Sequence, residues 1–483
     1  MVTHDRSSKR AKLPNRQVSG KTRSIDCPVG QAKGWENISA QDICSRHPAI
    51  YFLATKTSTK DQLFQLSEAI SEFFHDDLLA IRPFSKWEEV FVYLKEKRTG
   101  KFALVIDEFP YLMNSEPAIT SIFQKGWDEL LVHNDHIMLI LNGSSISMME
   151  NEVLSAASPL YGRRTGQWKV EPFELRDISN FFPEAGLVEL IEIYSVIGGI
   201  PFYARFFDHK KSLKENIKRK ILKKGEVLYS EVDFLLREEF KEPRSYSPIL
   251  LAIASGNHKF GKISAQTGMD KSNLTKYLSI LDHLGIVYRE VPVTERYPHK
   301  SKKGLYFICD PFINFWFHFV WPNLRHLEME RIDFVWREKI EPEFDHYVSM
   351  NCEKVISNAL DDIGGDILSG YERIGRYWDK DVEIDILATD DKGRNALLGE
   401  IKWTRNPVGI KVLKDLKEKA EKIDVLKDSR KSFLLVSKSG FTQRLQEMTD
   451  ERLSLLDLRA AAAGGHTVKN SGVSSVDVEK EVG

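Results

Sequence analysis

The chain is short of cysteine, has no excess of either charge and has no long apolar run, and each shortage excludes a class of protein. Four cysteines, Cys27, Cys44, Cys309 and Cys352, are scattered through 483 residues with no CxxC spacing. Neither a disulfide framework nor a cysteine-rich zinc site is expected, and a reducing cytoplasm fits. Lys+Arg is 69 against Asp+Glu 70, which rules out a globally basic nucleic-acid coat protein. Nucleic acid would have to be held by local basic patches. No apolar run approaches the ~18 residues needed to cross a bilayer, so no membrane is expected as a partner. The start, MVTHDRSSKRAKLP, is followed by no apolar core of the kind a secretory signal carries. No internal repeat is visible. What is present is 42% hydrophobic and 29% charged residues, enough for buried cores. At roughly 100–200 residues per domain, the length suggests about three domains.

Residues 1–47, with Gly20, Pro28, Gly30 and Gly34, show little periodicity and are expected to be mostly irregular. From Ala49 the pattern changes. AIYFLA (49–54), FALVI (102–106) and IMLIL (137–141) are continuous apolar runs, as in strands covered on both faces. Gln62–Phe74, Trp87–Leu94 and Pro117–Leu131 alternate with them and carry helical spacing. That alternation predicts an α/β layer fold with a parallel sheet over residues 48–172. Residues 173–245 turn helical, and the basic stretch Lys211–Lys224 reads as a solvated helix face. Residues 246–308 hold a short helix Ile263–Gln266, a turn through Gly268 and a second helix Ser272–Leu284. Two strands follow, Ile286–Val291 and Leu305–Ile308, around a loop with Arg296, Lys300, Lys302 and Lys303. Residues 309–342 are an aromatic connector. Residues 343–458 read as a last α/β domain: a helix to Leu360, strands near Tyr371–Tyr377, Val382–Ala388 and Ala396–Trp403, a helix Ile410–Ile423, and strands Phe433–Ser437 and Ser454–Leu458. Residues 459–483 are poor in apolar side chains and are expected to be disordered.

Four constellations carry chemistry. FALVI ends in Asp107-Glu108, the form of a Walker B strand, in which the Asp holds Mg²⁺ and the Glu polarises water; many α/β strands also end in an acid without such a role. Asn15-Arg-Gln-Val-Ser-Gly20-Lys21-Thr22 has the spacing of a phosphate loop with Asn15 for the first glycine. In such a loop backbone N–H groups and the lysine take phosphates, and the threonine hydroxyl takes Mg²⁺. Residues 1–14 offer no strand ahead of it. Asn142-Gly143-Ser144-Ser145, at the tip of IMLIL, either senses a terminal phosphate or is only a turn. Arg163 and Arg164 are candidates for an arginine finger. In the helix-turn-helix, Leu274, Leu278 and Leu281 form an apolar stripe, and Lys271, Ser272, Asn273, Thr275 and Lys276 face away from it, as a DNA-reading surface would; packing against protein is the alternative. Finally, Asp385 in VEIDI with Glu400 and Lys402 in GEIKW has PD-(D/E)xK spacing. Two carboxylates can hold Mg²⁺ and the lysine can orient water, with Glu353 a possible fourth member. The alternative is an inactive fold with a surface ion pair.

From about Ala49 to Leu458 the chain resembles the archaeal AAA-type ATPases close to the signal-transduction ATPases, which carry a C-terminal nuclease-like domain. The resembling stretches are NRQVSGKT, AIYFLATKTS, ALVIDEFPYLM, IMLILNGSSISMMENEVLSAASPLYGRRTGQWKVEPF, IGGIPFY, GLYFICDPFINFWFHFV and GEIKW. The resemblance implies an ATP-binding P-loop core with a helical lid, a winged helix and a restriction-endonuclease-like C-terminal domain. It implies Lys21 and Thr22, after Gly20, as Walker A, Asp107 and Glu108 as Walker B, and Asn142–Ser145 as the sensor. Gly199 and Pro201 would match the GxP element of the lid. The family carries a strand before the phosphate loop that is central to the sheet, and the sequence leaves that place unfilled. The expected function is a cytoplasmic ATPase using ATP and Mg²⁺ and coupling nucleotide state to DNA, with a protein partner or a second copy also possible. The alternatives are a scaffold without nucleotide binding, and a Mg²⁺-dependent nuclease with a structural ATPase core.

Overall fold

A computed structural model of the chain describes residues 25–30, by their backbone, and 44–97, 100–132, 136–145, 148–240 and 242–461. It divides into two compact units, Met1–Val170 and Glu171–Gly483.

The first unit is built on five parallel strands: β1 (Ile25–Gly30), β2 (Ala49–Leu53), β3 (Phe102–Asp107), β4 (Ile137–Leu141) and β5 (Gly166–Val170). Their order is β2-β3-β4-β1-β5. β3 is buried at every position, as its unbroken apolar run requires. The helix Thr59–Phe74 starts where the Ser58 side chain accepts from Asp61 N at 3.3 Å and stops at His75 in the left-handed region; it buries Leu63, Leu66 and Ile70. Trp87–Glu96 buries Trp87, Val90, Phe91 and Leu94, and Phe91 meets Phe123 edge-on at 5.1 Å. The third helix runs over Ile119–Gly126 and continues in wider turns over Trp127–Leu131.

Two findings correct the sequence reading. A strand left unread, β1, fills the place between β4 and β5, inside the stretch expected to be irregular, while the middle of the five is β4. Pro28, which has no N–H to give, lies beyond the two residues paired with β4. β5 was not foreseen, because GQWKV is half exposed and lacks the apolar run that marks a covered strand.

The second unit begins with helices, among them Leu187–Ile197 and Val227–Glu239. The basic stretch is not a bare solvated face. Lys214 pairs with Glu341 at 3.0 Å, Lys218 with Asp333 and Lys224 with Glu328, all acids from the 324–341 segment. The helix-turn-helix consists of Phe260–Thr267 and Lys271–His283, followed by the antiparallel pair β6 (Val287–Glu290) and β7 (Leu305–Ile308). The aromatic connector is a buried junction. Trp316 Nε1 donates to Tyr229 O at 2.9 Å, and His318 Nδ1 hydrogen-bonds Ala254 O at 2.6 Å. Tyr347, on the helix Phe344–Ile363, donates to Ser195 O at 3.1 Å.

That helix leads into a mixed sheet of β8 (Arg373–Asp379), β9 (Val382–Thr389), β10 (Asn395–Lys402), β11 (Arg430–Ser437) and β12 (Leu453–Asp457), in the order β12-β11-β10-β9-β8. β8, β9 and β10 are antiparallel neighbours; β10, β11 and β12 run parallel, with the helix Ile410–Glu421 crossing between β10 and β11. Leu413, Leu416 and Ala420 of that helix pack with Ile384, Leu398 and Leu435. Leu458–Ala461 is a helical turn where the disordered tail was expected to begin; the rest of that tail lies outside the described residues.

Candidate functional site

Parallel ladders carry the chain to one edge of the first sheet, and the polar residues there sit where strands end. Ala54 N donates to Asp107 O and Asn142 N to Ile106 O, both at 2.9 Å, so the tips of β2, β3 and β4 are held in register. This is the edge at which open parallel sheets take ligands. Asp107 is 1% exposed and Asn142 0%. Buried polar groups at this depth need partners. Asp107 Oδ1 accepts from Asn142 Nδ2 at 2.6 Å and from Glu108 N at 2.9 Å, and Oδ2 accepts from the Tyr51 hydroxyl. Burial, with the bond to Asp107, pushes the Tyr51 phenol well above its ordinary value, so it stays a donor. Glu108 stands in the left-handed region at φ 53°, a costly place for a residue with a side chain. Its carboxylate is held by Ser144 Oγ at 2.9 and 3.0 Å. Gly143 lies between these groups; a Cβ there would come within 2.7 Å of Pro110 and 2.9 Å of Met149. Asn142 Oδ1 is buried without a donor.

The structure thus brings together Asp107, Glu108 and Asn142. Gly20, Lys21 and Thr22 lie outside the described residues. In the chain they precede β1, whereas a phosphate loop follows its strand. Arg164 donates to Leu154 O at 3.1 Å and lies over the Tyr161 ring; Arg163 pairs with Asp128 at 3.0 Å. In the second unit Gly199 touches Phe173, whose N donates to Gly199 O at 2.7 Å, and Pro201 opens a short helix.

In the helix-turn-helix, Asp270 caps the second helix by accepting from Ser272 N at 2.9 Å and Asn273 N at 3.0 Å. Leu274, Leu278 and Leu281 are buried, and Lys271, Ser272, Asn273, Thr275 and Lys276 are exposed. The Asn273 amide is committed to Asp270 at 2.6 Å, and the Thr275 hydroxyl to Lys271 O at 2.7 Å. Lys271 and Lys276 form no ion pair among the described residues. The basic loop between β6 and β7 departs from expectation at Lys303, which already faces Glu295 at 3.4 Å and Asp379 at 3.3 Å.

The third constellation is assembled on β9 and β10. Asp385 lies within β9 rather than at its end, close to Glu400, since Ile386 pairs with Gly399. Asp385 Oδ2 accepts from Ile401 N at 2.8 Å. Glu400 is gripped twice, by Lys402 at 2.6 Å and by Lys419 at 2.9 Å. Glu353, from the preceding helix, pairs with Arg376 at 3.3 Å. Burial, then the neighbouring carboxylates, pushes Glu353 and Asp385 up. Burial would lower Lys402, but Glu400 outweighs it and raises it. Among the described residues no group of three or more His, Cys, Asp and Glu converges as a ready metal-ligand set.

Three residues were missed. Tyr51 reads as one more strand residue in AIYFL. Arg376 and Lys419 carry no local motif, because their partners are distant in sequence or lie on other elements. Among the described residues no helix is long and apolar enough to cross a membrane.

Comparison with known proteins fits this organisation. Residues 33–204 match an ATPase domain found predominantly in Archaea, a span that begins after Gly20-Lys21-Thr22. Residues 247–289 match bacterial regulatory proteins of the arsR family, and 316–423 a family of archaeal and bacterial proteins of unknown function. The chain is 38% identical over 361 residues to the uncharacterised protein MJECL04 of Methanocaldococcus jannaschii, covering 73% of this chain and 78% of that protein. Among solved structures, the Walker-type ATPase PABY2304 of Pyrococcus abyssi is 20% identical with a TM-score of 0.46, covering 61% of this chain and 90% of that one. The ORC2 protein of Aeropyrum pernix is 11% identical with a TM-score of 0.36, covering 68% and 88%. The chain therefore belongs to the family of MJECL04, as an archaeal-type P-loop ATPase-domain protein with an ArsR-type helix-turn-helix and a C-terminal sheet domain.

Proposed function

We propose that the chain binds ATP and hydrolyses it, and couples the nucleotide state to nucleic acid held by the helix-turn-helix. The observation that carries this reading is the edge of the first sheet, where Asp107 is fixed by three donors and Glu108 is aimed by Ser144. The residues present fit a hydrated cation. Asp107 keeps acceptor capacity on Oδ2, and Asn142 Oδ1 is a buried acceptor without a donor, which a bound water would satisfy. Asp107 would hold Mg²⁺, which when bound neutralises charge on the phosphates. Gly20, Lys21 and Thr22 precede β1 rather than follow it, so a phosphate or Mg²⁺ role for them requires the segment ahead of β1 to reach the Asp107 edge. Glu108 orients and polarises the attacking water, and Ser144 keeps its carboxylate in place. On this reading Asn142 reports the terminal phosphate to β4.

The helix-turn-helix supports the second half of the proposal. Lys271 and Lys276 are exposed and free of ion pairs among the described residues, whereas Lys214, Lys218 and Lys224 are paired with acids. Free lysines on a helix that presents its polar face suit phosphate contacts.

Phosphate release by the full chain, with and without duplex DNA, tests the reading. Wild type is expected to release phosphate, faster with DNA, and Glu108→Gln to lose about a hundredfold or more, a typical scale for an assisted proton transfer. Release no faster in wild type than in Glu108→Gln would overturn it. A second reading is favoured by one observation: Asp385 and Glu400 lie close together on adjacent strands with Lys402 beside them. These two carboxylates could hold Mg²⁺, making the C-terminal domain a nuclease; plasmid cleavage lost in Glu400→Ala would favour it, and no cleavage by wild type would end it. If the phosphate loop binds nothing, the chain is a scaffold on this fold.

A further inference from the structure

The segment between β6 and β7 is the wing of the helix-turn-helix unit, and it is fastened to the C-terminal sheet along the edge strand β8. Val293 N donates to Arg376 O at 2.9 Å, and the Val293 side chain packs against the C-terminal core. Trp378 Nε1 donates to Lys303 O at 3.0 Å. Lys303, the wing lysine nearest the sheet, is neutralised from both sides, by Glu295 of the wing and Asp379 of β8. An edge strand left bare would expose unpaired backbone groups, so the wing covers it.

Arg376 is the centre of this contact. Its guanidinium reaches Glu290 at the end of β6, where the wing begins, at 3.4 Å, Glu353 at 3.3 Å and Glu383 at 2.7 Å, and it lies 5.6 Å from the Phe307 ring centroid of β7. The pair with Glu290, at the wing's root, is the longest of the three. Two carboxylates of the C-terminal domain would therefore still neutralise Arg376 if Glu290 left. Arg376 Nε is buried without an acceptor, so the closed arrangement does not use all that the guanidinium offers. Both features describe a contact that can open. At the wing tip Arg296, Lys300 and Lys302 form no ion pair among the described residues, and Tyr297 is 62% exposed with Arg296 over its ring. The outer part of the wing thus faces outward while its base is closed against protein.

We propose that the wing is a latch: closed on β8 through Arg376 and Val293, it withholds Lys303 and the wing base from duplex DNA, and opening it lets the wing join the second helix on the phosphate backbone. The proposal rests on the nucleic-acid half of the function proposed above. A latch closed for roughly 70–90% of the time lowers the apparent affinity of the open form about threefold to tenfold. Each further phosphate that the opened wing neutralises steepens the salt dependence by about one unit.

The test is binding of a labelled random-sequence duplex to the full chain, over a series of salt concentrations, for wild type, Arg376→Met, Val293→Ser and Lys276→Glu. Arg376→Met is the sharp variant. It removes a positive charge, so simple electrostatics weakens DNA binding, whereas release of the latch strengthens it. It also leaves three carboxylates without their partner; Val293→Ser, which changes no charge, carries the test if Arg376→Met does not fold by circular dichroism. Tighter binding by about threefold to tenfold with a steeper salt slope is expected for the folded variants. Unchanged or weaker binding overturns the latch. If Lys276→Glu weakens wild-type binding while the latch variants bind no more tightly, only the latch falls. If Lys276→Glu changes nothing, or no form binds, the nucleic-acid reading falls and takes the latch with it.

Discussion

Asp107 is useful only because its neighbours hold it. Removing the Asn142 amide strips a buried carboxylate oxygen of one of its two donors. Asn142→Ala is expected to cost about 1–3 kcal/mol in a urea denaturation, the penalty for a buried group that loses a partner; a change within error would mean that Asp107 is better hydrated than its burial implies. Asp310 makes a second prediction. Burial pushes its carboxyl up to about 7 from an ordinary 3.8, although the backbone N–H groups of Phe312 and Ile313 pull the other way. Between those values the unfolded chain has released the proton and the folded chain keeps it. Stability therefore falls as pH rises from about 4 to about 7, and this group adds no slope below that window. Asp310→Asn, which still accepts from the Phe312 N–H, is expected to remove that slope in melts taken across the window; an unchanged slope would contradict the assignment. Asp107, Glu108 and Asn142 were legible in sequence because each stands where an apolar run turns polar. Tyr51 was not, because in a strand an aromatic reads as core whether or not its hydroxyl has work to do. Arg376 was not, because its carboxylates come from β6, from β9 and from the helix before the sheet.

The covered strands and their helices were readable for the same reason, that an unbroken apolar run or a helical stripe states its own burial. β5 escaped because its side chains stay half in water, and β1 because Pro28 and Gly30 argue against a strand, although both pair with β5. Gly199 is a tighter constraint than its place in a helix break suggested. A Cβ there would overlap Phe173 O and lie 2.9 Å from the Tyr194 hydroxyl. Gly199→Ala is expected to lower stability by about 1–3 kcal/mol or more, as overpacking against backbone does. An unshifted melting curve would mean that the Phe173 segment moves freely. In the helix-turn-helix the exposed positions followed from the leucine spacing. Lys271→Ala with Lys276→Ala is expected to lower the salt slope of duplex binding by about two units, one for each phosphate that is no longer neutralised. A slope that does not change would mean that this helix faces protein instead.

Two stretches of the second unit spend their charge on acids of the same unit. The Lys211–Lys224 stretch is tied to the acids of 324–341, and the wing base is tied to β8. Among the described residues, Lys271 and Lys276 on the second helix and Arg296, Lys300 and Lys302 at the wing tip stay outside these pairs. The order of three segments, an ATPase domain, a helix-turn-helix and a C-terminal sheet, was legible from alternating patterns and from the resemblance they carry. The phosphate loop was the point at which pattern and order disagreed, since Gly20-Lys21-Thr22 comes before β1, the strand between β4 and β5. Binding of a fluorescent ATP analogue by the full chain, titrated with and without Mg²⁺ in wild type, Asp107→Asn and Lys21→Ala, bears on that point. Wild type should bind more tightly with Mg²⁺, Asp107→Asn should lose the Mg²⁺ effect, and Lys21→Ala should bind weakly under both conditions. Equal and negligible binding by all three would leave the edge of β3 and β4 without a nucleotide and contradict the proposed ATPase.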